Sequence, residues 1–210
     1  MFVGGPNTRT DFHLEEGSEL FLQLRGNMNL PTIQAGQRKL VNINEGSLFI
    51  LPSRIPHSPQ RQENSLGLVV ERKREEGESD ALMWYVDFED CREKLFERYF
   101  ICNDLGRDLV PVVNEYKASQ EFSTRVRTPT SLATDPPCKQ DLETVVPDPI
   151  NLMSVVAAHS ATLEDGQVVD LMQTTGHPDR EFQVRLLGGG GSLSGVCALE
   201  TFVYQVRGSA

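Results

Sequence analysis

The sequence predicts a mainly β protein that begins as a sandwich or small barrel of antiparallel strands. Two observations lead there: short apolar segments separated by turn residues from Met1 to about Arg72, and a regular spacing between those turns. The segments are Phe2-Val3, then Leu20 to Leu24, Lys39 to Ile43, Ser47 to Leu51 and Leu66 to Val70. Gly4-Gly5-Pro6-Asn7, Glu16-Gly17, Arg25-Gly26-Asn27 and Asn44-Glu45-Gly46 supply residues that accept tight backbone reversals between them. A charged run from Glu71 to Asp80 follows. Beyond it, Leu82, Val86, Leu95, Phe96, Tyr99 and Phe100 fit a helical period in part, so a helix is expected over Leu82 to Phe100.

From about Ser119 to Pro149 the composition shifts to Thr, Pro and Asp, as expected of a linker or an irregular surface wrap. After it, Asn151 to Ala158 reads as a short helix. Phe182 to Leu187 and Ala198 to Val206 read as strands flanking the Gly188 to Gly191 tract, and the last of these has no later segment to pair with.

Composition narrows the function classes. The chain has 210 residues, 39% hydrophobic and 24% charged, enough for one sizeable domain or two small ones. Thirty acidic against twenty basic residues give a formal charge of -10, which repels a phosphate backbone and argues against nucleic acid as a partner. Met1 to Arg9 lacks a secretory signal pattern and no apolar run is long enough for a membrane span, so a cytosolic location with no membrane partner is expected. Cys91, Cys102, Cys138 and Cys197 form no Cys-x-x-Cys pair and are read as reduced thiols without a metal role.

Two stretches carry ligand-type residues: His13-Leu14-Glu15-Glu16-Gly17-Ser18-Glu19 and Pro52-Ser53-Arg54-Ile55-Pro56-His57. Two imidazoles and one carboxylate can cover one face of an octahedral ferrous ion and leave the other positions open to substrate and dioxygen. Strand alternation puts Glu19 on the face of Phe21 and Gln23, opposite Leu20, Leu22 and Leu24, so a barrel can turn it inward. Taken singly, such residues are more often solvated than ligating. The frame around them reverses that judgement: Gly26 lies seven positions after Glu19, and Gly46, Pro52 and His57 follow with five and four residues between them. That two-part spacing is similar to the paired signatures of the cupin superfamily, departing at Asp11, where many cupins have a further histidine, and at Arg54, where many have glycine.

Met1 to Arg9, the His13 to Glu19 turn, Leu51 to Arg61, Gly67 to Arg72 and Tyr99 to Gly106 together resemble the 3-hydroxyanthranilate 3,4-dioxygenase family, densely over the first 115 or so residues. The resemblance implies a catalytic cupin (double-stranded β-helix, or jelly-roll, barrel) at 1–115, a linker at 116–150 and a partial, degenerate second cupin at 151–210. It also implies Fe(II) on the metal ligands His13, Glu19 and His57, with Arg9, Arg61 and Glu71 in catalytic and substrate-binding roles and Glu19 at the substrate as well. The expected substrate is 3-hydroxyanthranilate with dioxygen, and the product 2-amino-3-carboxymuconate semialdehyde, on the kynurenine route towards quinolinate and NAD. Family members with a second cupin half are typically monomeric, so a monomer is expected.

The residues agree chemically. Arg9, Asp11 and His13 share one face of an extended segment, and a planar guanidinium suits a bidentate grip on an aromatic carboxylate, a role assigned first to Arg61. Glu71 can accept a hydrogen bond from the substrate's hydroxyl or amino group. Asp11, Gln23 and Gln60 can either orient a ligand histidine or make a structural hydrogen bond, two readings the sequence leaves level. Against the family pattern, the chain is expected to lack a segment ahead of the Phe2 strand and the strands that would close the second cupin. The alternative function is therefore an inactive cupin that binds a small molecule or a metal.

Overall fold

The computed structural model describes residues 1–194 and 200–208. In chain order the strands of the first part are β1 (Phe2–Gly4), β2 (Asp11–Leu14), β3 (Glu19–Arg25), β4 (Met28–Gln34), β5 (Gln37–Ile43), β6 (Ser47–Leu51), β7 (Gln60–Arg61), β8 (Leu66–Glu71), β9 (Asp80–Tyr85) and β10 (Lys94–Phe100). Helices α1 (Leu105–Ala118) and α2 (Gln120–Thr124) follow. The remainder comprises β11 (Ile150–Asn151), α3 (Leu152–Ala158), α4 (Ser160–Glu164), β12 (Val168–Asp170), α5 (Leu171–Thr175) and β13 (Arg185–Leu187).

Two antiparallel sheets form the body. One has the order β1-β8-β3-β6-β11, and the other is made of β10-β9-β2 and β5-β4-β7. The two halves of the second sheet meet at His57, which bridges both His13 on β2 and Thr32 on β4. Non-consecutive neighbours such as β8 beside β3 and β9 beside β2 give the jelly-roll connectivity expected of the barrel.

Between the sheets, Phe21, Met28, Leu30, Val41, Ile43, Phe49, Leu51, Ile55 and Val69 form the main core. Strand alternation divides β3 as the sequence suggests. Phe21 joins that interior, whereas Leu20, Leu22 and Leu24 face a second cluster with Leu152, Val169 and Leu171 from the C-terminal helices and strands. The sheet is thus apolar on both faces, one filled by its partner sheet and one by the later chain.

The helix expected over Leu82 to Phe100 is instead the β9–β10 hairpin, in which Phe96 lies opposite Trp84 and Phe100 opposite Asp80. Its apolar positions mimic a helical period because β9 is buried on both faces and does not alternate in polarity. Ala81 and Met83 pack with Phe12 and Leu14, while Leu82 and Trp84 pack with Phe96 and Tyr116. Asp87 breaks the run by accepting from the Glu89 amide, 2.7 Å away. The following helix, α1, forms although its internal Pro111 argues against one locally. Asp104 caps its first turn by accepting from the Arg107 amide at 2.9 Å, and Tyr116 stacks on Trp84 with centroids 4.1 Å apart. Tertiary packing outweighs the local cost.

Residues between α2 and β11 are irregular, but Cys138 and Val146 within them are buried, and Val146 belongs to the main core. Strand β13 and helix α3 lie within the segments expected for them. The strand expected over Ala198 to Val206 falls partly outside the described residues, and residues 200–206 form no strand. Cys91, Cys102 and Cys138 are free and buried; Cys197 lies outside the described residues. No described helix is long and apolar enough to cross a membrane.

Because Val146 sits 1% exposed in the main core, Val146→Asp buries an unpaired carboxylate and is expected to destabilise the barrel by about 3 kcal/mol or more. Urea unfolding followed by Trp84 fluorescence reads this directly; an unchanged midpoint would mean that the irregular segment does not contribute to the core.

Candidate metal centre

A two-way backbone hydrogen bond sets the site. The His57 amide donates to the His13 carbonyl at 2.9 Å and the His13 amide to the His57 carbonyl at 2.8 Å. Directly opposed residues on paired backbones project to the same face, and the two imidazole centroids lie 5.4 Å apart. The flanking bonds Ile33 to Pro56 and Ser58 to Pro31, both 2.9 Å, fix the His57 segment against β4 as firmly as against β2. Glu19 enters from the other sheet at the first position of β3, and one ligand atom from each of His13, Glu19 and His57 lies within 4.8 Å of the other two. All three side chains are buried.

The ring nitrogens are oriented for ligation. His57 Nδ1 lies 3.1 Å from the Ile55 carbonyl oxygen, which favours the proton there and leaves Nε2 its lone pair. His13 Nε2 lies 2.7 Å from Asp80 Oδ2, leaving Nδ1 as its free nitrogen. His57 Nε2 approaches Glu19 Oε1 to 2.7 Å, yet Glu19 Oε1 has no hydrogen-bond partner. A buried carboxylate oxygen without a donor, converging with two imidazole nitrogens, suits a divalent cation. Two imidazoles and one carboxylate leave coordination positions for other molecules. The donor set fits ferrous iron.

Electrostatics point the same way. Burial, with Glu71 nearby, pushes the Glu19 carboxyl up to about 7 despite its contact with Glu15 and the cations Arg74 and Arg9. Burial and the adjoining Glu19 also push Glu15 well above the usual carboxylate range. Burial depresses His57 below the ordinary histidine range, which keeps its imidazole neutral. Four acids, Glu15, Glu19, Glu71 and Asp80, thus crowd one region. Arg74 offsets part of that charge: it pairs with Glu15 at 2.7 Å, with Glu71 at 3.1 Å and with Asp80 at 2.6 Å.

The remaining residues singled out in the sequence surround this cluster. Arg61 is 5% exposed and has no carboxylate within ion-pair distance among the described residues. Burial lowers its pKa, opposed by the charge of Glu19. Glu71 lies directly opposite Glu19 in the β3–β8 register. Arg9 pairs with Asp11 and lines a cavity of about 330 Å³ with Asp11, Trp84 and Tyr116, beside the ligand cluster rather than over it.

Asp11, Gln23 and Gln60 do not orient the histidines. Asp11 takes Arg9, Gln23 donates to the Arg25 carbonyl at 3.0 Å, and Gln60 bonds both ways with the Arg9 backbone. Asp80 orients His13 instead. It is the diagonal cross-strand neighbour on β9, since His13 lies opposite Leu82 and residues two apart share a face. The apolar run of β9 mimics a helical period, which conceals that relation in the sequence.

A family model described as 3-hydroxyanthranilic acid dioxygenase matches residues 1–117. The rat 3-hydroxyanthranilate 3,4-dioxygenase is 40% identical over 210 residues, covering all of this chain and 71% of the rat protein. The human enzyme of that name is 39% identical with the same coverage, and the Caenorhabditis elegans one is 40% identical over 190 residues, 90% of this chain and 65% of its own. Among solved structures, a variant of oxalate decarboxylase from Bacillus subtilis covers 80% of this chain and 43% of its own, at 15% identity and a TM-score of 0.39. That likeness is too low to bear on the fold, which rests on the strand pairing.

Two outcomes follow from this geometry. Asp80→Asn removes the carboxylate behind His13 and is expected to weaken ferrous-ion binding about 10- to 100-fold, measured by anaerobic titration. The pH dependence is set by Glu19. A carboxyl whose folded pKa is raised from 4.5 to about 7 stabilises the metal-free fold most at pH values below 4.5 and loses that contribution as pH rises through about 7. Metal binding needs the ionised form, so affinity is expected to climb over the same interval. A pH-independent affinity between about 6 and 8, a window of about one pH unit either side of that pKa, would contradict the raised value.

Proposed function

The chain belongs to the 3-hydroxyanthranilic acid dioxygenase family, and we propose that it opens the ring of 3-hydroxyanthranilate at a ferrous ion held by His13, Glu19 and His57. The observation that carries the reading is a buried Arg61, without a carboxylate partner among the described residues, within electrostatic reach of a two-histidine, one-glutamate cluster. An isolated buried cation is costly, and an aromatic carboxylate is the complementary partner.

Ring cleavage by a dioxygenase consumes one aromatic molecule and one dioxygen, and both oxygen atoms enter the product, here 2-amino-3-carboxymuconate semialdehyde. Bound at the three ligands, ferrous iron supplies the open positions and the redox flexibility that let an electron-rich ring react with dioxygen. The protein contributes placement and charge. Arg61 pairs with the substrate carboxylate and sets the ring's orientation. Glu71, on the same face as Glu19 and steadied by Arg74 at 3.1 Å, accepts a proton from the ring hydroxyl or amino group. Arg9, paired with Asp11, lies close enough to stabilise the Glu19 anion. Apolar neighbours Phe21 and Ile55, each 2% exposed, exclude bulk water from the ligands.

In the same reading, residues 1–115 are the catalytic cupin, 116–150 the connection and 151–210 a partial second cupin. The chain works as a monomer in the cytosol on small molecules alone.

The test is anaerobic loading with ferrous iron, then oxygen uptake and semialdehyde formation on adding 3-hydroxyanthranilate. His57→Ala is expected to abolish both iron binding and turnover. Arg61→Ala is expected to keep iron and to lower kcat/KM by about 100-fold or more, mostly through KM, as loss of a charge-assisted pair requires. Tight iron binding without oxygen uptake would favour a metal-binding module over an enzyme.

A further inference from the structure

We propose that Asp179 and Glu181 are positioning residues for the metal centre: from the far end of the chain they clamp the strand ends that carry Glu19 and Glu71. The inference rests on reading His13, Glu19 and His57 as that centre.

Ser18, the residue before Glu19, is 1% exposed and is held by two acids more than 160 positions away. Its amide donates to Glu181 Oε2 at 2.6 Å, and its hydroxyl donates to Asp179 Oδ1. The other Glu181 oxygen, Oε1, pairs with Arg72 Nε at 2.7 Å. Arg72 follows Glu71, and its amide donates to the Ser18 carbonyl at 3.2 Å. Glu19 and Glu71 are cross-strand partners, so one pair of carboxylates grips the chain just outside both of them.

The Asp179 half of the clamp is buried and held by its own partners, while Glu181 is exposed. Asp179 is 6% exposed; its Oδ2 accepts from the Glu181 and Phe182 amides at 3.1 and 2.8 Å, and its own amide donates to His177 Nδ1 at 3.1 Å. That bond directs the His177 Nε2 proton to the Ile50 carbonyl, 3.0 Å away on β6. Ile50 lies opposite Leu20, the residue after Glu19. Without these contacts the Gly17-Ser18 turn has a free end, and a ligand carboxylate at the start of a strand inherits whatever motion its turn has. Fixing a ligand within a fraction of an ångström is the task of such outer supports. A role confined to packing predicts lost stability; positioning predicts lost metal affinity in protein that remains folded.

The test uses the whole chain. Asp179→Asn, Glu181→Gln and Ser18→Ala are titrated anaerobically with ferrous ion, beside the unsubstituted protein, at a temperature where circular dichroism shows each one folded. The expected result is a Kd for ferrous ion raised about tenfold by Asp179→Asn and by Glu181→Gln, with KM for the aromatic substrate raised as well because Glu71 shares the clamp. Ser18→Ala combined with Asp179→Asn is expected to lose no more than the worse single change, as contacting partners do. Should Asp179→Asn not fold, Glu181→Gln and Ser18→Ala decide the matter. Folded variants with unchanged iron affinity overturn the clamp alone. An unsubstituted chain that binds no iron overturns the metal-centre reading, and the clamp's role with it.

Discussion

The structure turns on the reciprocal backbone bond between His13 and His57. It joins the halves of one sheet and, by the same two hydrogen bonds, holds two ligand-type side chains side by side. Closure of the barrel and assembly of the candidate centre are thus one event, because directly opposed strand residues necessarily share a face. The opposite sheet adds Glu19 from the start of β3, where alternation turns it inward with Phe21. A slip of one residue in either ladder would send the ligand-type side chain to the wrong face, so the apolar residues that set the register, Phe12, Leu14, Phe21 and Leu22, also gather the candidate cluster.

Gathering four acids in one buried region is unfavourable, and the chain offsets the cost in several ways. Glu19 and Glu15 hold their protons to higher pH than free carboxyls do. Arg74 neutralises Glu71 and Asp80 and reaches Glu15. A divalent cation held by the cluster would offset more of that charge, coupling metal binding to the stability of the barrel. Asp80 matters to both arrangements, since it accepts from Arg74 and is paired with His13 at once.

The legible and illegible parts of the site divide by how far apart in sequence their determinants lie. Glu19 and its inward face were readable from alternation within seven residues, and His57 from its spacing after Gly46 and Pro52. Asp80 was not, because its role depends on pairing between β2 and β9, and the doubly buried β9 shows no alternation to reveal a strand. For Asp11, Gln23 and Gln60 the sequence leaves open ligand orientation or a structural hydrogen bond, and their backbone and arginine partners decide for the second. Helix α1 was hidden for a related reason: its internal proline disfavours it locally, and the Trp84–Tyr116 stack that favours it is a tertiary contact.

By itself the sequence determined a β architecture, its turns, the identity of the three ligand-type residues and the family, because these depend on short-range patterning and on residue types at fixed spacing. Only the tertiary structure decided which nitrogen of each histidine is free, which acid stands behind His13, that Arg61 is buried without an anionic partner among the described residues and that Ser18 is gripped by Asp179 and Glu181. Those facts depend on contacts between strands and segments up to 163 residues apart. Local periodicity says which face of a strand is buried; it does not say which distant chain buries it.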